Sequence, residues 1–159
     1  MKLKKKFRTL FFAILFLMSL LAGCAAPAET SETADNESIV EEYSVTEDGT
    51  YTSKEEVAEY IYLFGHLPDN FITKKEAKAL GWESKEGNLA EVAPGMSIGG
   101  DYFGNYEGLL PEEDGRDYYE CDINSDGGYR GPERIVFSND GLIYYTEDHY
   151  ESFEQLYGE

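Results

Sequence analysis

The apolar residues of this chain follow a helical period near its middle and a strand period towards its end. One group recurs every three or four residues, as on one face of a helix: Val57, Tyr60, Ile61 and Phe64. Ser53 and Glu56 precede this group as a capping box, and Gly65 follows it. The pattern predicts an amphipathic helix at the start of a folded domain.

Two shorter helical segments are predicted next. Thr73 and Glu76 form a second capping box, and Gly81 closes the pattern that follows it. A further helical turn is expected over residues 88–93, because Pro94 stops it. These segments therefore continue a helical first half of the domain.

The apolar period then changes to two, the period of a strand. Tyr119, Cys121 and Ile123 alternate with Tyr118, Glu120 and Asp122, so both carboxylates share one strand face. Residues 134–138 and 142–146 are β-rich runs around Asn139-Asp140-Gly141, which predicts a hairpin. Helices followed by antiparallel strands predict an α+β fold, with N-terminal helices packed on a C-terminal antiparallel sheet.

The amino-terminal segment is predicted to be a leader. Residues 1–23 carry five basic residues, then an apolar run, then small residues, as a signal peptide does. Leu21-Ala22-Gly23-Cys24 resembles the lipobox of bacterial lipoproteins, which predicts lipidation of Cys24 and anchoring to the outer face of the bacterial cytoplasmic membrane. The alternative is an ordinary secretory signal that has a cysteine near its cleavage site.

Residues 24–49 are predicted to be a disordered acidic tether, because they have few large apolar side chains and almost only negative charge. Residues 50–159 then have the usual size of one domain. If Cys24 carries lipid, Cys121 has no cysteine with which to form an intramolecular disulfide. Stability is therefore expected to come from an apolar core.

Charge narrows the possible functions. Removing the five basic residues of the leader leaves eight of the 13 Lys and Arg against all 32 Asp and Glu, a formal charge of −24. Such a surface repels polyanions at long range, which argues against a protein that coats nucleic acid. A local cationic cleft stays compatible with this charge, because the Debye length is only about 8 Å at physiological ionic strength.

Several ordered segments carry a family resemblance. They are residues 67–74 (LPDNFITK), 80–82 (LGW), 87–95 (GNLAEVAPG), 97–101 (SIGGD), 134–135 (RI), 142–144 (LIY) and 148–150 (DHY). Together they resemble the barnase-like extracellular guanyl-preferring ribonucleases of bacilli, over essentially the whole domain from about residue 51 to 157. The resemblance implies an endoribonuclease that cleaves single-stranded RNA 3′ of guanosine through a 2′,3′-cyclic phosphate, which is then hydrolysed to a 3′-phosphate.

The resemblance also assigns roles to residues. Glu120 matches the family's general base and His149 its general acid. Three cations match the groups that stabilise charge on the phosphate: Lys74, Arg130 and Arg134. Asp122 matches the residue that orients the two arginines. No metal or other cofactor is expected, because the nucleophile is the 2′-hydroxyl of the RNA itself.

Residues 101–108 (DYFGNYEG) correspond to the family's guanine-binding loop. Glu107 matches the carboxylate that accepts from guanine, and Asn105 lies within the same loop. Barnase has serine at the position of Gly104 and arginine at that of Tyr106; Asn-Tyr-Glu-Gly instead resembles the loop of fungal guanyl ribonucleases. Tyr106 is therefore expected to stack on the base, with Tyr150 or Phe103 on its other side.

Two alternatives concern single features. Residues 122–133 fit the spacing of an EF-hand calcium loop, but the predicted flanks are strands and Arg130 would lie inside the ion cage, so an Asn/Asp/Gly turn is the preferred interpretation. His66 has no catalytic neighbour in the sequence and is expected to be a surface residue.

The alternative function is a membrane-tethered lipoprotein that binds RNA or protein on the same fold without catalysis. The expected partners are single-stranded RNA, the membrane and a barstar-like inhibitor, and the expected state is a monomer. The inhibitors of this family are acidic, so electrostatic steering towards a chain at −24 would be lost and association slowed.

Overall fold

The computed structural model describes residues 44–159. This part contains helices α1 (Lys54–Phe64), α2 (Lys74–Ala79) and α3 (Leu89–Val92), and strands β1 (Phe71–Ile72), β2 (Ser97–Phe103), β3 (Tyr118–Asp122), β4 (Arg134–Ser138), β5 (Ile143–Thr146) and β6 (Glu154–Tyr157). The predicted signal peptide, Cys24 and most of the predicted tether lie outside the described residues. Within those residues, no helix has the length and hydropathy needed to cross a bilayer.

The six strands form one sheet in which each strand lies beside its neighbours in the sequence. β1 pairs with β2 in parallel, and all other pairs are antiparallel. All three helices precede the antiparallel strands β3 to β6. The predicted α+β class is confirmed, as are the helices at the two capping boxes and the hairpin around Asp140-Gly141.

Helix α1 forms where its caps and apolar spacing predict it. The Glu56 N–H donates to Ser53 Oγ at the start, and Gly65 ends the helix with a φ of 75°. The buried side of α1 presents Val57, Ala58 and Ile61 to one face of the sheet. The opposing sheet residues share that face and are Cys121, Ile123, Ile135, Phe137 and Ile143. This core therefore depends on the odd-numbered residues of β3 and β4.

The even-numbered residues of the same two strands face the other way. Tyr118 and Val136 join a second cluster with Leu110, Leu142 and Tyr144. Glu120, Asp122 and Arg134 are also buried, although they are charged. Helices α2 and α3 pack on β2 through a third cluster formed by Ala77, Trp82, Leu89, Ala93 and Ile98. Thus the face of β3 that is turned away from α1 is left for polar chemistry.

Strand β2 was not predicted, because Gly99 and Gly100 interrupt its apolar pattern. The structure shows why a glycine stands there. A Cβ at Gly99 would lie 2.6 Å from Cys121 Cβ and 2.7 Å from Phe71 Cδ1. The register also shifts between Gly99 and Asp101, where Gly100 has a φ of 87°. The glycines thus permit a close approach of β2 to β3 and a bulge beside it.

The packed part of the chain begins before residue 50. Val45 is buried, the Ser44 N–H and hydroxyl donate to the Glu59 carboxylate, and the Tyr60 hydroxyl donates to the Glu47 carbonyl at 2.8 Å. These contacts attach residues 44–47 to α1. Residues 44–47 therefore pack with the domain whose start the sequence analysis predicts at residue 50.

Cys121 is a core residue. Its side chain is buried against α1 and forms no disulfide. Burial raises the pKa of the Cys121 thiol above its usual value, so the reactive thiolate is disfavoured.

The contact at Gly99 predicts a stability effect. Gly99→Ala should destabilise the domain by about 1–3 kcal/mol, because the added methyl group meets Cys121 and the Phe71 ring in a packed core. Urea unfolding measures this change. Gly131→Ala is the matched control, since a Cβ there meets nothing within 4 Å. Equal stabilities of the two variants would contradict the proposed close packing.

Candidate active site

Strand β3 places two carboxylates on the polar face of the sheet. Glu120 is 7% exposed and Asp122 is 2% exposed. In the sheet register Glu120 lies opposite Asp101 of β2, and Asp122 lies opposite Arg134 of β4. Because a buried carboxylate needs partners, the cations around these two residues define the site.

Lys74 reaches Glu120 from the first turn of α2. Its Nζ lies 2.5 Å from Glu120 Oε1. Thr73 caps α2 through a complete capping box, and the Lys74 backbone N–H donates to Asp101 Oδ2 at 2.9 Å. Asp101 thereby fixes the start of α2 against β2. The lysine occupies a position that the helix dipole disfavours, and the Glu120 carboxylate compensates its charge.

Asp122 binds both arginines. Arg130 donates from Nε and Nη2 to the two Asp122 oxygens, each at 2.7 Å. Arg134 Nε lies 2.9 Å from Asp122 Oδ1, and Arg134 Nη1 donates to the carbonyls of Gly131 and Glu133. The hydrogen bonds that Arg130 donates to Asp122 raise the pKa of its guanidinium further above its usual value. Both cations are therefore held in place beside Asp122.

The charged groups of the site balance formally. Lys74, Arg130 and Arg134 are the cations, and Glu120, Asp122 and Asp101 are the carboxylates that contact them or lie beside them. The Arg130 side chain is 21% exposed and that of Lys74 is 33% exposed, whereas that of Arg134 is 2% exposed. Arg130 and Lys74 are thus the cations that a ligand from solvent meets first.

The environment of Glu120 favours its ionised form. Burial alone would raise the pKa of this carboxyl, but hydrogen bonds from Lys74 and Tyr150, together with the charges of Lys74 and Arg130, lower it below its usual value. The Tyr150 hydroxyl donates to Glu120 Oε2. Burial, followed by this hydrogen bond to Glu120, raises the pKa of Tyr150, so the phenol stays protonated. Glu120 is therefore a carboxylate that can accept a proton at neutral pH.

His149 and Tyr150 lie in a strained turn after β5. Both have positive φ, 58° and 75° respectively, which is uncommon for side chains other than glycine. His149 is exposed, and its ring lies 4.7 Å from the Tyr150 ring, centroid to centroid. Tyr150 thus contacts Glu120 through its hydroxyl and His149 through its ring.

Three polar residues brace that turn. The Tyr150 N–H donates to Thr146 Oγ1 at 3.0 Å, and Thr146 Oγ1 donates to Asp148 Oδ1 at 2.8 Å. Asp148 also accepts from the Ser152 hydroxyl and N–H. Hydrogen bonds from Ser152 and Thr146 lower the pKa of Asp148 to about 2. The brace holds two left-handed residues in a conformation that projects the imidazole into solvent.

The predicted base-binding loop follows β2. Asn105 donates from Nδ2 to the Leu110 carbonyl at 2.9 Å and accepts from the Leu110 N–H at 3.0 Å. Its side chain therefore holds the loop closed. Phe103 lies 5.2 Å from Tyr150, centroid to centroid, and so connects the loop to the residues around Glu120.

Tyr106 and Glu107 are presented to solvent by this loop. Tyr106 is 92% exposed, and its ring lies over Gly104, where a Cβ would be 2.2 Å from Tyr106 Cε2. A serine at this position would require the Tyr106 ring to move. Gly104 thus leaves room for the Tyr106 ring in the position that the structure shows.

Residues 122–133 match the spacing of an EF-hand calcium loop, but the carboxylates at both ends of this segment bind other side chains of the protein. Asp122 binds the two arginines, and Glu133 accepts from the Tyr145 hydroxyl at 2.6 Å and from Asn124 Nδ2 at 3.0 Å. Residues 122–133 leave β3 and lead into β4, so strands flank the loop as predicted. His66 is exposed, as predicted, and packs edge-on against Tyr60.

Several supporting residues were not predicted. Asp101 fixes Lys74, and Thr146 with Asp148 fixes the His149 turn. Tyr150 was predicted only as a base-stacking residue, yet its hydroxyl binds Glu120. The capping box at Thr73 was a usable signal for the position of Lys74. No sequence signal indicated the contact of Asp101 with Lys74 or that of Tyr150 with Glu120, because each joins residues far apart in the sequence.

Comparison with known proteins finds similarity to ribonucleases. The family model described as ribonuclease matches residues 54–157. A ribonuclease of Bacillus intermedius is 44% identical over 151 residues, which is 92% of each chain. A ribonuclease of Heyndrickxia coagulans is 55% identical over 100 residues, covering 63% of this chain and 92% of the relative. Guanyl-specific ribonuclease St of Saccharopolyspora erythraea is 44% identical over 55 residues, 34% of this chain and 54% of the relative.

The family match covers more than half of the chain, and it coincides with the domain that holds the Glu120 and Asp122 clusters. The resemblance predicted from the sequence is confirmed. The chain belongs to the ribonuclease family, in its barnase-like group.

Proposed function

We propose that this protein is an extracellular, guanyl-preferring endoribonuclease that cleaves single-stranded RNA 3′ of guanosine. The single observation that supports this most strongly is the buried, ionised Glu120 beside three fixed cations, in a chain of the ribonuclease family. The guanyl preference is supported by the loop at residues 103–108 and by the similarity to a relative named as guanyl-specific. A non-catalytic binding protein is not favoured, because it gives no reason for this arrangement.

Glu120 acts as the general base in the first step. It takes the proton from the 2′-hydroxyl of the guanosine, whose oxygen then attacks the adjacent phosphorus. The bonds from Lys74 and Tyr150 fix the carboxylate and keep it ionised. The P–O5′ bond breaks as the 2′,3′-cyclic phosphate forms.

His149 acts as the general acid for the departing 5′-oxygen. Its exposed ring is held beside Tyr150, which contacts Glu120 directly. In the second step the roles reverse: His149 takes a proton from water, and Glu120 returns one to the 2′-oxygen as the cyclic phosphate opens to a 3′-phosphate.

Lys74, Arg130 and Arg134 stabilise the negative charge that gathers on the phosphate oxygens in the transition state. Asp122 holds Arg130 in a planar bidentate contact and leaves part of the guanidinium exposed to a ligand. Because these groups are fixed before substrate binds, little reorganisation is needed when charge develops.

Base recognition is assigned to the loop that Asn105 closes. Glu107 accepts hydrogen bonds from guanine, and Tyr106 stacks on one face of the base, with the adjoining Phe103 and Tyr150 rings on the other. The exposure of Tyr106 leaves its ring available for this contact.

Export is supported by the extent of the match to the Bacillus intermedius ribonuclease. That match covers 92% of the chain, more than residues 24–159 alone can supply, so it reaches into the predicted leader. We further propose a lipid anchor at Cys24 on the outer face of the membrane. A monomeric state and binding of a barstar-like inhibitor stay predictions from the sequence.

Removal of the proposed base or acid should abolish most activity. Glu120→Ala and His149→Ala should each lower kcat/KM on GpA by about 10²- to 10⁴-fold, the usual contribution of a positioned acid or base. The assay follows guanosine 2′,3′-cyclic phosphate by chromatography, with a chelator present throughout. The exposed residues His66 and Glu91 provide the matched controls His66→Ala and Glu91→Ala, which should retain wild-type rates. A wild-type enzyme that makes no cyclic phosphate would refute the proposed function.

The pH profile should report the bonds to Glu120. The Glu120 pKa is lowered by Lys74 and Tyr150, so their removal should raise it, and the acidic limb of kcat/KM should move to higher pH. Tyr150→Phe keeps the ring but removes the hydroxyl, and Lys74→Met removes the charge. We expect both variants to shift that limb upwards in a pH series on GpA. An acidic limb that stays in place in both variants would contradict the base role of Glu120.

The lipid anchor is tested by metabolic labelling. Radiolabelled palmitate should be incorporated into the full-length chain in a bacterial host, and Cys24→Ala should abolish the label and release the enzyme into the medium. Cys121→Ala is the matched control, because the structure buries that thiol in the core. Incorporation that is unchanged in Cys24→Ala would remove the proposal of an anchor at this residue.

A further inference from the structure

Tyr129 is a large exposed side chain with no assigned role. It is 75% exposed, and among residues 44–159 its side chain forms no hydrogen bond, ion pair or ring pair. The other strongly exposed tyrosines are accounted for: Tyr62 stacks on Tyr157, Tyr102 packs edge-on against Tyr119, and Tyr106 belongs to the base-binding loop.

One side of Tyr129 is supported by backbone. Gly87, with a φ of 63°, lies under the residue, and a Cβ there would be 3.0 Å from the Tyr129 backbone N and 3.1 Å from its Cγ. The Ala90 N–H donates to the Gly127 carbonyl at 2.9 Å, and Gly127 packs closely on Ala90. The ring is therefore positioned by the 87–90 segment while most of its surface faces solvent.

Tyr129 belongs to the loop that brings Arg130 to one end of the candidate active site. Along β3, Tyr118 pairs with Phe103 at the base-binding loop, Glu120 occupies the centre, and Asp122 binds Arg130 at the other end. Tyr129 directly precedes Arg130. Five strand residues span about 13 Å at the usual rise, so an RNA strand bound over Glu120 with guanosine at the loop has a neighbouring nucleotide within reach of the far end.

The charges near Tyr129 are mixed, since Lys85 and Glu86 are both exposed on the segment that precedes Gly87. Electrostatic attraction alone therefore gives this position no preference for RNA. The exposed face of the Tyr129 ring does favour RNA, because any unpaired base can stack on it.

We propose that Tyr129 is a stacking platform for an unpaired base adjacent to the guanosine at the scissile phosphate. This inference rests on the proposed ribonuclease function. It adds a binding subsite that takes any base, so it affects the use of longer substrates and leaves the preference for guanosine unchanged.

The test compares substrates with and without a second base. Guanosine 2′,3′-cyclic phosphate, which has no second base, is the reference substrate. GpA adds a base on the 3′ side of the guanosine, GpApA adds a second base on that side, and ApGpA adds one on the 5′ side. Tyr129→Ala should lower kcat/KM by about 5- to 100-fold on at least one extended substrate relative to the reference, the range expected for one stacked base. Tyr129→Phe should restore it. The substrate that shows the loss identifies the side of the guanosine that the platform serves.

Two further variants separate stacking from structure. Tyr129→Leu still covers Gly87 with an apolar side chain but has no planar ring, so it should behave like Tyr129→Ala while melting at the wild-type temperature. Tyr62→Ala removes an exposed tyrosine from α1, which packs on the opposite sheet face, and should change no substrate ratio.

An equal loss on all substrates, or no loss on any, would overturn the platform. A wild-type enzyme that cleaves GpA but gains nothing from either extension, with Tyr129→Ala unchanged, refutes the platform and leaves the proposed function intact. Failure of the wild type to cleave GpA refutes the proposed function instead.

Discussion

The two active-site arginines depend on one buried carboxylate, that of Asp122. It lies on β3 and binds Arg130, which comes from the following loop, and Arg134, which begins β4. An isolated carboxylate at 2% exposure would be strongly unfavourable, and removing one partner from such a buried pair costs about 3–5 kcal/mol. The same interaction therefore closes the loop between two strands and aims positive charge at Glu120. Fold and chemistry share this constraint, so neither arginine can be exchanged without affecting both.

The alternation of β3 makes this sharing possible. Cys121 and Ile123 pack under α1, while Glu120 and Asp122 face the site. A register slip of one residue would bury the carboxylates in the apolar core and expose the core residues. Gly99 allows β2 to approach Cys121, and Asp101, just past the bulge, receives the start of α2. The position of Lys74 is thus fixed by a helix cap and by a local irregularity in the neighbouring strand.

Features that depend on neighbouring residues in the sequence were predicted, whereas contacts between residues far apart in the sequence were not. Capping boxes at Ser53 and Thr73, and the alternation in β3, are local signals, and the helices and strand they predicted are present. Strand β2 was missed because its glycines serve a contact with Cys121 that no local pattern records. The contact of Glu47 with α1 was not predicted, because acidic composition says nothing about the Tyr60 hydroxyl that donates to the Glu47 carbonyl. Tyr150 had a predicted role at its ring, whereas its hydroxyl on Glu120 became visible only in three dimensions.

The strong acidity of the chain changes how the site must attract RNA. With a predicted mature charge of −24, the long-range field opposes a polyanion. Beyond about 8 Å that repulsion is screened at physiological ionic strength, so a bound phosphate responds mainly to the partly exposed cations that it contacts, Lys74 and Arg130. Three other lysines form no close ion pair among residues 44–159. They are Lys75, Lys78 and Lys85, which lie on α2 or in the loop after it. In the proposed function, binding energy then comes from contact groups, namely the fixed cations and the exposed aromatic rings of Tyr106 and Tyr129. An acidic ribonuclease of this kind gives up fast electrostatic capture and depends on short-range complementarity to an unpaired strand.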